Sequence, residues 1–582
     1  MKKIVLYILF FGFFHTTFAQ QELKRADSYF ERAYYKDAIP LYEALIPTNR
    51  SSRLVKNLAD CYYRTYDMKS ATKWYTYLVS NHGDNIEEDY HFKLSQSLKA
   101  LGEYNKANQV LIDFYGKRDS VKLNRIQQEI IYLENISAIG DRFSLENLGM
   151  NTETSEFGAI QIDSNLVFTA TRKNTSSSGK LYRWNNQKYL DIYSLPMDKI
   201  RSGDGESVNF SEQINTKMHE GTFAITKDRN TLYFTRNNYN KGKKKTDSKK
   251  ISNLKIYKAE WVDNGWGKVT ELPFNGDNFS TEHPALNTNE TTLYFASDRK
   301  GGQGSFDIYT VSINSDGTYG TPINLGPTIN SDKKEQFPFL DENDNLYFSS
   351  NGHPGYGLLD VFVSKNKEGI LQKPDNIGVP VNSGYDDFSF VVNGNKKEGF
   401  FSSNRPGGKG SDDIYRFMET KPLLIEDCGQ YIAGILSDKT TKKPIPNGTV
   451  ILIDNSGNTV STVSTLEDAS FEFRVDCVSA YTLKGSKVGY EDTTMRIITN
   501  KERNKTNDGS LALLSHEERE KQVQLSLQKE EEERLRKEKE AREKAEREKE
   551  RKIKEAIRTE ESIVEEKEKT VIKTKAIIKV YS

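Results

Sequence analysis

Five carboxylates stand at one place in a recurring phrase. Glu156, Glu220, Glu282, Glu335 and Asp387 precede Phe168, Phe234, Phe295, Phe348 and Phe401 by 12 to 14 residues. Placed at the start of an inner strand, such groups would gather near one mouth of a channel. Left unpaired there, they form a candidate site for a cation or an amine ligand. The competing reading is that each caps a turn or pairs with an arginine of the adjoining repeat. In a second acidic set Asp307, Asp360 and Asp413 follow glycine-rich turns, Asp191 takes the equivalent place after a longer loop, and Lys255 stands in the remaining copy. A short acid there accepts backbone N–H groups and fixes the corner before the next strand. Arg299 and Arg405 serve the same structural end by bridging within or between repeats. GGKGSDDIY from Gly407 fits the calcium β-roll nonapeptide, but that roll needs tandem copies, and the copy from Gly301 has Phe306 at the ligand place. No metal site, cofactor or catalytic residue is expected.

The elements that position these residues are repeats. LYFASDRKGGQGSFDIYTV from Leu293, LYFSSNGHPGYGLLDVFVS from Leu346 and GFFSSNRPGGKGSDDIYRF from Gly399 lie 53 residues apart. Short alternating strands at a period of about 40–50 residues are the pattern of a β-propeller blade. LVFTATR from Leu166, with LDIYSL after a longer loop, and LYFTRNN from Leu232, with LKIYKA after a lysine-rich insertion, are divergent copies. Each copy opens with a related phrase, such as EQINTKMHEGTF or INLGPTINSDKKEQFPF. Five units between Phe143 and Phe417 predict a five-bladed ring over 143–420, with six blades as the alternative. The insertion, Lys241–Lys250, carries six lysines; it reads as a solvated loop, or as one that touches lipid phosphates.

Residues 20–140 have a different period. Ala26, Tyr29, Ala38 and Tyr42 recur as Ala59, Tyr62, Ala71 and Tyr75, then as Ser95, Leu98, Ala107 and Leu111. Small residues at these offsets let the two helices of a hairpin approach, which is the tetratricopeptide (TPR) pattern. Three hairpins with a capping helix over Val121–Ile139 would form an all-α solenoid, or a plain bundle bracing the propeller. Over 424–502 apolar and polar residues alternate between turn signals (PIPNG, DNSGN), predicting a small β-sandwich. Cys428 and Cys477 bracket it and read as a disulfide, leaving Cys61 a buried thiol. Glu, Lys, Arg and Ala dominate 503–570 with Glu-to-Lys pairs four residues apart and no sustained apolar seam, so a solvated single helix is expected. Residues 571–582 read as a strand-like tail.

Lysine plus arginine equal aspartate plus glutamate at 83 each, which gives no field for nucleic acid. Residues 1–19 have the charged start, apolar centre and small-x-small end of an export signal. No later stretch is apolar enough to span a bilayer as a helix. H-E-x-x-H, P-loop and G-x-S-x-G signatures are absent, so the chain reads as a binding protein and not an enzyme.

The blades at Ser297–Tyr309 and Ser403–Tyr415, the TTKKPIPNGTV…KVGY signature and the order of the parts carry a resemblance. The chain resembles the Bacteroidota periplasmic proteins of the OmpA family that join TPR hairpins, a WD40-like (PD40, TolB-type) propeller and a carboxypeptidase-regulatory-like domain. PorE-like members are associated with type IX secretion. The family's C-terminal OmpA-like domain is not found here, so direct peptidoglycan binding does not carry over. The resemblance implies an exported, periplasmic scaffold, peripheral to the outer membrane. Its partners would be envelope proteins, an outer-membrane barrel or secretion components, docked on TPR and propeller surfaces. The alternative is a sensory module holding a solute, glycan or peptide at the propeller mouth.

Overall fold

A computed structural model describes residues 20–172, 181–240, 242–423 and 428–578. The expected export signal lies outside them. Contacts divide the chain into two units, residues 1–427 and 428–582.

The first unit begins with helical hairpins: α1 (20–31), α2 (Tyr35–Leu45), α3 (Ser52–Arg64), α4 (Met68–His82), α5 (Glu88–Ala100) and α6 (Tyr104–Gly116), followed by α7 (Ser120–Ser137). Ala26, Ala38, Ala59, Ala71 and Ala107 are fully buried, where a larger side chain would push paired helices apart. Tyr42 and Tyr75 fill the space between hairpins, and their hydroxyls donate to Asp27 (2.7 Å) and Asp60 (2.6 Å), themselves 33 residues apart. Buried phenols need such partners. Asp67 and Asp119 cap α4 and α7 by accepting backbone N–H bonds.

Five four-stranded antiparallel sheets follow. Their inner strands are Glu156–Ile162, Glu220–Ile225, Thr281–Leu286, Glu335–Leu340 and Asp387–Asn393, and each touches the next around a closed cycle. The result is a β-propeller-like domain. Its fifth sheet is completed from upstream: Phe143–Asn147 pairs with Asp413–Glu419, so the start and end of the ring share one sheet. Phe168, Phe234, Phe295, Phe348 and Phe401 are buried between sheets.

In the second unit, strand Gly429–Asp438 joins Ser470–Asp476, Thr506–Asp508 and Leu511–Leu513 in one sheet. A second sheet orders Thr459–Ser464, Thr449–Asp454, Ala480–Ser486 and Thr493–Ile498. Ile432, Leu436, Val450, Leu452, Phe471 and Leu483 lie in their common core. Cys428 and Cys477 form a disulfide, while Cys61 is a buried free thiol.

Two expected boundaries are corrected here. The sheets run to Leu513, not 502, because the buried Leu511 and Leu513 complete the core. Helix α8 then spans His516–Ile578, about 95 Å at 1.5 Å per residue, so the strand-like reading of the tail fails for 571–578. Ion pairs at four-residue spacing, from Lys521–Glu517 (2.7 Å) to Lys569–Glu565 (3.7 Å), support that exposed helix up to the edge of the tail. Among the described residues no helix is long and apolar enough to cross a membrane.

Candidate functional site

Among the described residues the five carboxylates do not form a ring of free groups, and the competing reading, capping and arginine pairing, describes three of them, though with an arginine of the same repeat. Glu156, Glu220 and Asp387 are fully buried at the start of their inner strands, and each pairs with an arginine of its own sheet. Arg172 meets Glu156, Arg236 meets Glu220 at 2.7 Å, and Arg405 meets Asp387 at 2.5 Å. A residue four positions upstream caps each carboxylate through its backbone N–H: Thr152 (3.0 Å), Thr216 (2.9 Å) and Ser383 (2.6 Å). Glu335 takes the same cap from Ser331 at 2.9 Å and, with no arginine, hydroxyl bonds from Ser331 (2.6 Å) and Ser350 (2.7 Å). Burial pushes Glu335 up to about 7 and Glu220 up to about 8. The physical reason is the low dielectric between sheets, where an unpaired anion is too costly to keep.

Glu282 differs. Strand register pairs Thr281 with Ser297 as it pairs Asp387 with Ser403, so Thr281 holds the carboxylate position in the third sheet. Glu282 is one residue further, and side chains alternate along a strand, so it faces the channel. Arg299 has no carboxylate beneath it; it donates to Ser297 (3.0 Å) and Thr281 (3.3 Å) and lies over Phe279, Phe295 and Tyr309.

The aspartates after the glycine turns hold corners. Asp307 accepts from Gln303 N (2.5 Å), Gly304 N (2.9 Å) and Asn324 Nδ2 (2.7 Å). Asp413 accepts the same set from Lys409, Gly410 and Asn147, and Asp360 accepts from Gly357 N (3.0 Å). Asp191 is buried at the same place and receives the Tyr193 hydroxyl at 3.5 Å. In the second sheet the polarity is inverted: buried Lys255 reaches Glu271 (2.6 Å) and Asp277 (2.7 Å), with Glu271 at the position of Asn324. Sequence reasoning missed one fivefold device. Asn151, Asn215, Asn275, Asn330 and Asn382 each accept from the backbone N–H of Ile414, Ile192, Ile256, Ile308 or Val361 at 2.8 to 3.1 Å. Each also donates back to that residue's carbonyl, tying a third strand to the connection that enters the next sheet. These asparagines were visible in the opening phrases.

All five inner strands bulge just after the carboxylate position. His283, Phe337 and Ser389 take positive φ at 56°, 54° and 51° there, and Gly158 does so at 66°. A left-handed residue costs about 1–2 kcal/mol without glycine, and bulges re-aim side chains. Here they form a plug across the channel: His283 stacks on Phe337 at 3.7 Å, and Phe337 meets Phe388 at 4.8 Å. One side of the plug is an apolar pocket of about 190 Å³ that includes Ile160, Pro284 and Phe339.

On the other side the helical hairpins close the mouth. Tyr66, in the turn between α3 and α4, donates to Asp386 Oδ2 at 2.6 Å, and Lys99 at the end of α5 donates to the Gly355 carbonyl at 2.7 Å. Asn376 N donates to the Tyr132 hydroxyl at 2.9 Å. Gly384 permits this approach, since a Cβ there would stand 2.5 Å from the Lys99 carbonyl oxygen. Between hairpins and plug lies a cavity of about 460 Å³. Glu282, Lys334, Gln336, Asp386 and Asp412 supply its polar wall, with Tyr63, Arg64, Tyr66 and Trp184 above and Phe388 below. Burial pushes Glu282 up to about 7 and Asp412 up to about 6, and it lowers Lys334. Of the expected mouth residues, the structure brings only Glu282 to this cavity. Asp386 and Asp412 were missed, although both are the first member of an Asp-Asp pair.

No family model and no curated protein matches the chain. Solved structures similar to it include a TolB-like protein from Agrobacterium tumefaciens, 12% identical over 57% of this chain and 96% of that one, with a TM-score of 0.29. An α-L-arabinofuranosidase from Lactobacillus brevis is 10% identical over 48% of this chain and 96% of that one, TM-score 0.30. A protein of unknown function from Dyadobacter fermentans is 11% identical over 45% and 75%, TM-score 0.29. At these scores the likenesses carry no argument about function.

Proposed function

We propose that this chain is a non-enzymatic scaffold of the cell envelope, exported to the periplasm and peripheral to the outer membrane. Its partner would be an outer-membrane or type IX secretion assembly. On this reading the helical hairpins are TPR units and the five sheets are the five blades of one propeller. The second unit is a carboxypeptidase-regulatory-like sandwich that carries a helical spacer. One observation carries the proposal: the hairpins and the ring are fastened into one body, through Tyr66–Asp386, Lys99–Gly355 and Asn376–Tyr132. Two repeat modules so joined present a large fixed surface. The charges of the repeat phrase, meanwhile, are consumed in internal pairs that hold shape.

The test is recovery of the tagged mature chain from gently solubilised envelope, with the co-purifying proteins identified and quantified. Outer-membrane barrels or secretion components in stoichiometric amount support the scaffold; recovery of the chain alone overturns it. Reversing charge on α3, with Arg53→Glu and Lys56→Glu, locates the dock. Arg53 is the exposed partner of Asp27 (2.6 Å), but Asp27 and Lys56 are only 14% and 16% exposed, so the urea midpoint of the variant is measured beside its recovery and must stay near that of the parent for a lost partner to locate the dock. Deleting the hairpins would instead uncover the mouth cavity and confuse the two effects.

A further inference from the structure

The mouth cavity holds two opposite charges that do not meet. Glu282 is 4% exposed, and one of its oxygens receives the Gln336 side-chain amide at 2.6 Å. Among the described residues no lysine or arginine comes within 4 Å of Glu282, and no carboxylate comes within 4 Å of the Lys334 ammonium. Across the space Lys334 favours the charged form of Glu282; burial and Arg64 disfavour the charged form of Lys334, and Asp386 and then Glu282 favour it. By contrast Asp386 is already engaged, by the Tyr66 hydroxyl at 2.6 Å and the Leu359 N–H at 3.1 Å. Asp412 is bonded to the Ser155 side chain, so the acid left over is Glu282, at the start of one inner strand; it faces Lys334, immediately before the next inner strand, and Arg64 across a space of about 460 Å³. That is within the usual range of small-molecule sites, about 300–1,000 Å³.

A bare cation would be repelled by Lys334, and a bare anion by Glu282. A neutral sugar would leave both charges desolvated and unpaired, at a cost. A molecule that carries both charges satisfies both walls. Arg64 lines the same cavity and adds a second cationic donor, while Trp184 and Phe388 offer rings to an apolar side chain.

We propose that this cavity binds a small zwitterion, a free amino acid or short peptide, with its ammonium on Glu282 and its carboxylate on Lys334. The inference goes beyond the scaffold reading, which survives its failure.

The experiment is isothermal titration of the mature full-length chain at pH 8, where Glu282 is ionised. The probes are alanine, lysine, glutamate and dialanine, each alone, followed by N-acetyl-dialanine and dialanine amide. At least one free zwitterion is expected to bind saturably. Blocking either terminus of dialanine weakens binding at least about tenfold, the scale of one lost charge-assisted hydrogen bond. In Glu282→Gln the free and acetylated dipeptides become equivalent, and in Lys334→Met the free dipeptide and its amide do. The blocked probes test the idea on the unaltered chain, so a variant that fails to fold leaves it falsifiable. No saturable binding by any zwitterion, or blocked forms that bind within about threefold of the free dipeptide, would overturn it.

Discussion

Arg299 and Arg405 occupy the same place in two copies of one phrase, yet their removal should have unequal cost. Both guanidinium groups lie over two rings of their own sheet. For Arg299 these are Phe295 and Tyr309, at 5.1 and 5.0 Å; for Arg405 they are Phe401 and Tyr415, at 5.2 and 5.3 Å. Each also donates to a serine hydroxyl. Arg299→Met loses those attractions and leaves no anion behind, a cost of about 1–2 kcal/mol. Arg405→Met loses the matching rings and serine, loses bonds to the Pro380 (2.7 Å) and Val381 carbonyls where Arg299 has Thr281 and Phe279, and strands Asp387, which is fully buried and salt-bridged at 2.5 Å. Breaking one side of a buried pair costs about 3–5 kcal/mol. The expected difference between the two variants is therefore about 3 kcal/mol. All four tryptophans lie before residue 270, so fluorescence during urea unfolding reads the first unit alone. Adding Asp387→Asn to Arg405→Met removes the stranded charge and should recover at least about 1.5 kcal/mol. Equal costs for the two single variants, within about 0.5 kcal/mol, would refute the reasoning.

Other outcomes follow from the same geometry. Asn330→Ala leaves the buried Ile308 N–H without a partner, while the Ile308 carbonyl keeps the Leu325 N–H at 3.1 Å, and should cost about 1–3 kcal/mol by the same fluorescence assay. Glu282 holds its proton more tightly folded (about 7) than its ordinary value of 4.5. Its contribution to stability is thus complete below pH 4.5 and is lost as pH rises through 7. Glu282→Gln removes that loss, so the variant should gain on the parent by up to about 3 kcal/mol between pH 5 and pH 8. A pH-independent difference in urea midpoints would sink this. Reducing Cys428–Cys477, which are 49 residues apart, releases about 4 kcal/mol of chain-closure stabilisation. Calorimetry should show the transition of the second unit move down while tryptophan-detected unfolding of the first stays in place.

The ring was legible because its signals are local. The phenylalanine spacing, the glycine turns and the alternating strands each specify one sheet, and the sheets need one another to bury their faces. The helical hairpins were legible for the same reason, from small residues at fixed offsets. The candidate site was much less so. Glu282 looked like the homologue of Glu335, because a slip of one residue is invisible to a count of 12 to 14 positions; in a strand, that slip moves a side chain to the other face. The pairing of Asp387 with Arg405 joins an inner strand to the turn just after its neighbour in one sheet, and spacing alone did not distinguish it from pairing across sheets. The placement of Tyr66 against Asp386 spans 320 residues, and no local pattern encodes it.

The strand that closes the ring has a mechanical consequence. Phe143 is paired with Glu419, so the chain enters and leaves the ring at the same end of one antiparallel ladder. Arg142, just before the entry, is ion-paired to Glu419, and its carbonyl accepts from Thr420 N at 2.7 Å. Tension along the polypeptide therefore falls on this junction, in the fifth sheet, and not on the other four sheets. The ring hangs from the line of force as a side branch. Its weak point is the five-residue seam, which pulling opens like a zipper, one pair at a time, while shear would have to break all of them together. A chain under load would thus keep four sheets whole while the fifth lets go of its outer strand.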